Sequence, residues 1–356
     1  MTAQGKGAAT ARAGIIGCGV IADNHIRALR RLDGVEVVAL VDRNQDVANT
    51  MAARHRIPSA YVELKAMLAE KRLDVLHITT PPRTHASVCE QALRSGCHVL
   101  IEKPAALSSN ELDGMLGLAK ANGLIISVVH NGIYQRAFRR ALSTIKAGAI
   151  GELRSVQIID HIPSEHDIVS NPAHWSHALA GGVYGEVLPH DIYIADALVP
   201  GLKLDSVGTY GSGRHPWLPV EQVLASLSSG PVSVTINASV DGADWNKTIE
   251  ITGTAGSVRV DRMCDIVTVN APQTDWTLRT HVQRVTSHIG AWMQQSAETA
   301  AAKASRQALS GHDELIKRFY SAIRHRRTAP VSEEHMRRTT ALYELLTAAI
   351  DSGVAA

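Results

Sequence analysis

The chain has few cysteines, little net charge and no apolar run long enough to span a membrane. A net charge of +2 over 356 residues suggests neither nucleic acid nor an anionic membrane as a partner. Residues 1–13 lack the apolar core of a secretory signal. No C-x-x-C pair is present, so we interpret the protein as cytoplasmic with reduced thiols at Cys18, Cys89, Cys97 and Cys264.

Aromatic side chains are also scarce, at 4% of the residues, and they are unevenly distributed. Tyr61 is the only one before residue 131, and all five tryptophans lie beyond it. The length suits two domains, and the change in composition places a boundary near residue 130. We therefore predict a flexible leader over residues 1–11, a first domain over 12–130 and a second domain over 131–356.

A glycine-rich turn stands near the start of the first domain. It follows a predicted strand at residues 13–16, reads G-x-G-x-x-A, and precedes a helix-like stretch. The first glycine permits the tight turn, the second lets backbone approach a pyrophosphate, and the small third residue lets helix and strand pack closely. The N-terminus of the helix then faces the phosphates. This pattern predicts a dinucleotide site formed by Gly17, Gly19, Val20, Ile21 and Ala22.

An acidic residue, Asp42, follows the next predicted strand, Val35–Val41. A carboxylate in this position hydrogen-bonds the adenosine ribose and repels a 2′-phosphate, which favours NAD. Arg43 comes next and is able to pair with a 2′-phosphate, so NADP remains an alternative cofactor. A second interpretation is that Asp42 only caps the helix that follows.

Strands and helices alternate through the rest of the first domain and predict a doubly wound parallel sheet with right-handed crossovers. One apolar strand, His98–Ile101, ends in Glu102-Lys103-Pro104. Ligands bind at the carboxyl ends of such strands, where buried charges need a purpose or a partner. We expect the loops after Ile78, Ile101 and Val129 on the same edge as the glycine-rich turn. The alternative for Glu102 and Lys103 is a surface loop with a solvated ion pair.

Several short motifs occur in a fixed order along the chain. They are Gly17-x-Gly19-x-x-Ala22, Thr80-Pro81-x-x-x-His85, Gly96-x-His98-Val99-Leu100-x-Glu102-Lys103-Pro104, Gly148-x-Ile150-Gly151, Gly181-Gly182 with His190 eight residues later, and Gly253-Thr254-x-Gly256. In this order they resemble the Gfo/Idh/MocA oxidoreductases, the family of glucose-fructose oxidoreductase and inositol dehydrogenase, over nearly the whole chain. The resemblance implies an NAD(P)-dependent enzyme with an N-terminal dinucleotide-binding Rossmann domain and a C-terminal α+β domain for substrate binding and oligomerisation.

The resemblance also assigns roles to single residues. Lys103 is similar to the lysine that contacts the reacting hydroxyl and the nicotinamide ribose, and His190 to the catalytic histidine. Glu186 stands where the family usually has Asp, four residues before that histidine and on the same predicted helix face. Tyr193 stands where a second Asp is often found. These two departures leave the substrate and part of the proton network open.

The remaining expected site residues fall into two groups. Besides the glycine-rich turn, we expect the cofactor to contact Asp42, Arg43, Thr79, Thr80, Pro81, His85, Glu102, Lys103 and Asn131. We expect the substrate to contact Lys103, His130, Tyr134, Arg136, His161, Trp175, Glu186 and His190. Ordinary packing is the alternative for Trp175, and a solvated helix position is the alternative for Arg136.

Consecutive strand-like runs in the second domain are joined by turns such as Ser229-Gly230-Pro231 and Thr254-Ala255-Gly256. They predict a large, mostly antiparallel open sheet, followed by helices in the last third of the chain. One face of this sheet commonly mediates dimer or tetramer contacts in the family, so we expect a homodimer or homotetramer. The histidines between residues 161 and 190 have neither cysteine partners nor a convincing i, i+4 pair, and we predict no metal site.

The function indicated is hydride transfer between nicotinamide and a secondary alcohol or ketone of a sugar, cyclitol or related polyol. His190 would act as general base or acid, and Lys103 would stabilise the developing alkoxide. One alternative is a redox-neutral epimerase, lyase or glycoside-cleaving enzyme with tightly bound NAD. A further alternative is a non-catalytic NAD(P)-sensing regulator, against which the presence of both Lys103 and His190 argues. The sequence does not identify the substrate.

Overall fold

The computed structural model describes residues 10–272, 275, 277–304 and 310–354. Residues 1–9, most of the predicted leader, lie outside the described residues. The described chain divides into two compact units, one of residues 10–129 with His312–Arg337 and one of residues 130–311 with 338–354. Within the described ranges, none of the helices combines the length and the apolar character required to cross a bilayer.

The first unit is built on a six-stranded parallel sheet. Its strands are β1 (Ala11–Ile16), β2 (Val35–Val41), β3 (Ala60–Tyr61), β4 (Val75–Ile78), β5 (His98–Ile101) and β6 (Ile126–Val128). They lie in the order β3-β2-β1-β4-β5-β6, and each neighbouring pair is parallel. This order reverses direction at β1 and β4, which confirms the predicted doubly wound sheet.

Five helices connect these strands: α1 (Val20–Leu29), α2 (Gln45–Arg54), α3 (Leu64–Glu70), α4 (His85–Arg94) and α5 (Ser109–Ala121). The central strands β4 and β5 carry apolar side chains on both faces, and these are buried, as expected where helices cover both sides of a parallel sheet. Helix α5 begins at a serine cap, because the Ser108 hydroxyl accepts from Glu111 N.

Two long helices follow near the C-terminus, α10 (Gly311–His325) and α11 (Glu333–Val354). Residues 312–337 belong to the first unit, which differs from the predicted assignment of all residues after 130 to the second domain. The reason is burial on α10: Phe319 is inaccessible, and the Tyr320 hydroxyl lies 2.9 Å from His77 Nε2 of β4. Arg324 also donates to Asp33 O at 2.8 Å.

The second unit contains a seven-stranded sheet. Its strands are β7 (Leu153–Pro163), β8 (Lys203–Tyr210), β9 (Gln222–Ser229), β10 (Val232–Gly242), β11 (Asn246–Gly253), β12 (Gly256–Asp261) and β13 (Ile266–Asn270). In the order β13-β12-β11-β7-β10-β9-β8, only the pair of β7 and β10 is parallel. The mostly antiparallel sheet predicted for the second domain is therefore confirmed.

Helices of the second unit are α6 (Arg136–Lys146), α7 (Asp167–Ser170), α8 (Tyr184–Leu198) and α9 (Leu278–Ala304). Helix α8 contacts β7 and β10 in the middle of the sheet. Alternate side chains of these strands, such as Val156, Ile158, Val234 and Ile236, are buried and form the core. The core side of the sheet thus fixes α8, the helix that carries Glu186 and His190.

Candidate active site

The glycine-rich turn between β1 and α1 has the geometry of a phosphate cradle. Gly17 has φ of +91°, and a Cβ there would lie 2.7 Å from Thr79 O, so the position requires glycine. A Cβ at Gly19 would meet nothing within 4 Å, which leaves this side of the turn open. Gly19 is the N-cap of α1 and provides no side-chain cap, while Val20 is 90% exposed. An open, uncapped helix N-terminus fits the pyrophosphate of a dinucleotide.

Asp42 binds to this turn. Its Oδ2 accepts from Cys18 N at 2.9 Å, and its Oδ1 accepts from Asn44 N at 2.9 Å. The cap of α2 is Asn44, whose side chain accepts from the first-turn amides of that helix, so capping is not the role of Asp42. The Asp42 carboxylate is instead fixed beside the glycine-rich turn by its bond to the Cys18 amide. Arg43, its neighbour, is exposed.

The loop after β4 is tied to the same turn. Thr79 Oγ1 lies 2.9 Å from Ile16 O and 2.7 Å from Gly17 O. His85 is fully buried, with Nδ1 2.9 Å from Pro104 O and Nε2 2.8 Å from Thr80 O. Burial lowers the pKa of His85, and a neutral ring donates to one carbonyl at a time. The His85 ring therefore lies between Thr80 and Pro104 and donates to one of the two carbonyls at a time.

Glu102 and Lys103 are buried, with exposures of 7% and 9%, so the interpretation as a solvated surface ion pair is wrong. Glu102 Oε1 lies 2.9 Å from His25 Nε2 and 3.8 Å from His312 Nε2, while Oε2 accepts from Lys103 N at 3.2 Å. Burial opposes ionisation of Glu102, but the hydrogen bonds and charges of the two histidines outweigh it and hold its pKa well below the usual range. The peptide bond between Lys103 and Pro104 is cis.

A chain of buried polar groups extends from Glu102, and none of the sequence motifs predicts it. His25 Nδ1 lies 2.8 Å from His77 Nδ1, and His77 Nε2 lies 2.9 Å from the Tyr320 hydroxyl. Burial, followed by the charge of His25, lowers the pKa of His77 well below its ordinary value, and burial raises that of Tyr320 well above it. One signal was available, because His77 is the single polar residue of the β4 sequence Val-Leu-His-Ile, and a buried polar group needs a partner.

In the second unit, His190 and Tyr193 lie on α8 and interact directly. His190 Nδ1 is 2.9 Å from the Tyr193 hydroxyl, which in turn is 2.9 Å from Asn131 Oδ1. The Gly132 amide donates to the same hydroxyl at 2.9 Å, and the ring of His130 stacks on that of Tyr193. Three predicted site residues of this unit, His130, Asn131 and His190, are thus brought together around Tyr193.

The other predicted residues of the second unit lie on α8, on β7 and in two short segments. Glu186 is half-buried on α8, one turn before His190. The pKa of Tyr343 is raised, first by burial of Tyr343 itself and second by the charge of Glu186. His161 is on β7, where its buried Nε2 makes no hydrogen bond within the described part of the chain. Trp175 is 38% exposed beside His174. Tyr134 is half-buried in a short turn before α6.

Arg136 forms an ion pair and is not fully solvated, because its Nη2 lies 3.3 Å from Glu298 Oε2.

Two aspartates near His190 also form ion pairs. Asp191 Oδ1 lies 3.3 Å from Arg262 Nη1, and Asp196 accepts two bonds from Arg338 at 2.7 and 2.9 Å. Both aspartates are inaccessible to solvent and hold α8 in the unit.

Among the described residues, no three His, Cys, Asp or Glu side chains are grouped as a metal ion requires. The same part of the chain includes all four cysteines, and each of them is a free thiol. Burial raises the pKa of Cys18 to about 12, with Asp42 adding to the effect, so its thiol is protonated at neutral pH.

Two family models match this chain. The oxidoreductase family with an NAD-binding Rossmann fold, Gfo/Idh/MocA, matches residues 11–130, and the Gfo/Idh/MocA C-terminal domain matches residues 138–259. Together these matches cover more than half of the chain. The chain belongs to the Gfo/Idh/MocA family of NAD-binding oxidoreductases, as its motifs predicted. The predictions of an oxidoreductase and of NAD as cofactor are thereby confirmed, and the turn before α1 fits that cofactor.

Individual relatives are dehydrogenases of several sugars and cyclitols. The chain is 31% identical to D-apiose dehydrogenase of Paraburkholderia graminis over 137 residues, which span 38% of this chain and only 36% of that protein. It is 22% identical to myo-inositol 2-dehydrogenase of Thermotoga maritima over 267 residues, 72% of this chain and 77% of that protein. The WlbA dehydrogenase of Bordetella pertussis, solved with NADH and UDP-GlcNAcA, has the same fold, with a TM-score of 0.79 at 20% identity over 97% of this chain and 96% of that one.

Proposed function

We propose that this protein is an NAD-dependent dehydrogenase of a secondary alcohol on a sugar, cyclitol or related polyol. The uncapped N-terminus of α1, with Asp42 bound beside it, is the observation that supports NAD as the cofactor. The substrate half is supported by relatives that act on D-apiose and myo-inositol. When bound, NAD supplies the hydride acceptor or donor.

The protein's own contribution is proton transfer and charge stabilisation. In the oxidation direction His190 takes the proton of the reacting hydroxyl at Nε2, and in reduction it returns that proton. Lys103 provides an ammonium group for the oxygen on which negative charge develops. Glu186, one helical turn from His190, contacts the substrate or orients the histidine. The proton lost by the alcohol in oxidation is held on the imidazole of His190, and the same proton returns to the oxygen in reduction.

Cofactor selectivity follows from the residues after β2. The Asp42 carboxylate accepts hydrogen bonds from the backbone amides of Cys18 and Asn44, and a carboxylate in this position repels a 2′-phosphate. Arg43 is exposed and adjacent, so NADP binds more weakly than NAD but is not rejected completely. Calorimetric titration of the protein with each cofactor measures this preference; tighter binding of NADP would contradict the role given to Asp42.

The substrate class is tested by a spectrophotometric screen. Wild-type protein is mixed with NAD and a panel of sugars, sugar nucleotides, cyclitols and their acids, and NADH absorbance is followed; the keto forms are tested with NADH. We expect turnover of at least one polyol that has a free secondary hydroxyl. Tightly retained NAD combined with substrate conversion that needs no added cofactor would identify a redox-neutral reaction and contradict the proposal.

The seven-stranded sheet is the proposed surface for self-association in the cytoplasm. On the face opposite the core, Gly208, Leu224, Asn237 and Ile159 stand side by side on four adjacent strands. Leu224 is 38% exposed there, and Tyr210 of the same face is 56% exposed. Light scattering on a size-exclusion column is expected to give a dimer or tetramer for the wild type and a smaller species for Leu224→Glu. A monomeric wild type would contradict this surface.

A further inference from the structure

We propose that Tyr193 is a positioning residue that fixes the tautomer of His190, with the ring proton on Nδ1 and the lone pair on Nε2. The inference rests on the proposed function insofar as His190 is taken as the proton-transferring group. It deepens that function by assigning a role to a residue that stands where the family often has a carboxylate.

The tautomer follows from an accounting of the Tyr193 oxygen. A phenol has one proton to donate and two lone pairs to accept with. The Gly132 amide is a donor only, so it occupies one lone pair at 2.9 Å. Asn131 Oδ1 is an acceptor only, so at 2.9 Å it takes the phenol proton. His190 Nδ1 lies 2.9 Å from the same oxygen, and because the phenol proton is donated to Asn131, this nitrogen must donate and therefore carries a hydrogen.

Each partner in this arrangement is held in place. Tyr193 is inaccessible to solvent, and its ring stacks on His130 with centroids 4.3 Å apart and an interplanar angle of 20°. A Cβ at position 132 would lie 2.7 Å from the Tyr193 hydroxyl, so only glycine lets its amide approach so closely. His190 and Tyr193 are three residues apart on α8, the spacing at which helical side chains are neighbours. The hydroxyl is thus fixed by backbone and by packed rings.

The chemical consequence concerns the base itself. A neutral imidazole has one protonated nitrogen and one basic nitrogen, and the hydrogen bond made by the first decides which nitrogen is the second. With Nδ1–H donated to Tyr193, Nε2 is the atom that receives the substrate proton. An aspartate would provide the same direction and add a negative charge, whereas the phenol provides the direction alone.

The tautomer is read directly by NMR of protein labelled with ¹⁵N-histidine, without substrate and at pH about 8, where an ordinary imidazole is neutral. We expect His190 to show a protonated Nδ1 and an unprotonated Nε2. Tyr193→Phe, which keeps the stacked ring, and Asn131→Leu, which frees the phenol proton to turn toward His190, should both shift the proton toward Nε2. Tyr184→Phe is the matched control, on the same helix and equally buried but outside this network.

Kinetics provide the second reading. We expect Tyr193→Phe to lower kcat by about 10–100-fold with little change in KM, because the lost contact orients the base and does not bind substrate. A proton on Nε2 in the wild type, or a tautomer unchanged in both variants, would overturn the inference. Because the spectrum is recorded without turnover, an Nδ1–H signal in a protein that oxidises no polyol would contradict the proposed function and leave the role of Tyr193 intact.

Discussion

Replacing Tyr320 by phenylalanine removes one oxygen atom, and we expect it to destabilise the first unit measurably. The Tyr320 hydroxyl is the partner of His77 Nε2 at 2.9 Å, and His77 is fully buried in β4. Whichever atom donates, the substitution leaves a buried ring nitrogen without that partner. The desolvation cost of such a group is about 1–3 kcal/mol. For a unit of this size the corresponding fall in Tm is about 2–12 °C.

Urea unfolding monitored by circular dichroism measures the effect, and the chain offers a matched control. The Tyr61 hydroxyl donates to Glu70 Oε2 over the same 2.9 Å, but between exposed groups. Tyr61→Phe is therefore expected to change the unfolding free energy by less than about 0.5 kcal/mol. Equal effects of the two substitutions, or no effect of Tyr320→Phe, would refute the reasoning that burial makes the chain from Glu102 to Tyr320 costly to interrupt.

Three further predictions concern charges. The pKa of Glu102 is lower in the folded than in the unfolded state, so its carboxylate stabilises the fold above the unfolded pKa of about 4.3. This stabilisation is lost as the pH falls through the folded pKa. Glu102→Gln should therefore flatten the fall in unfolding free energy between pH about 6 and 3, measured by urea titration. Arg262→Met removes an ion-pair partner from each of two buried carboxylates, Asp160 and Asp191, and should cost about 3–5 kcal/mol. Arg154→Met, at an exposed pair, should cost under about 1 kcal/mol. Asp42→Asn should weaken NAD binding by about 10-fold and reduce the preference over NADP, as measured by calorimetry.

Local pattern is sufficient to predict the parallel sheet of the first unit and the helices between its strands. The alternation of apolar strands with amphipathic helices, and the spacing of Gly17, Gly19 and Ala22, depend on neighbours close in sequence. The doubly wound parallel arrangement and the family membership follow from them, whereas the order of the strands required the structure. The position of Asp42 was also predictable, because it is set by the end of β2; its bond to Cys18 N required the structure.

The missed features depend on contacts between residues distant in sequence. Glu102 meets His25 across 77 positions and His77 meets Tyr320 across 243, and no local pattern indicates either pair. For the same reason the sequence does not place residues 312–337 in the first unit, since helical periodicity does not tell which unit a helix packs on. In the sequence, Tyr193 stands out only because the family often has Asp at this position. Its role becomes visible in the structure, where the Gly132 amide and Asn131 Oδ1 contact its hydroxyl.

We propose that Lys103 and His190 together carry the chemistry of an NAD-dependent dehydrogenase. The most direct test is the single-turnover rate of NADH formation, with saturating NAD and the best polyol substrate, in Lys103→Ala and His190→Ala. Lys120→Ala, at an exposed position of α5, is the control. We expect a loss of at least about 100-fold in both variants, with NAD affinity nearly unchanged and the control unaffected. Near-wild-type rates in both variants would contradict it.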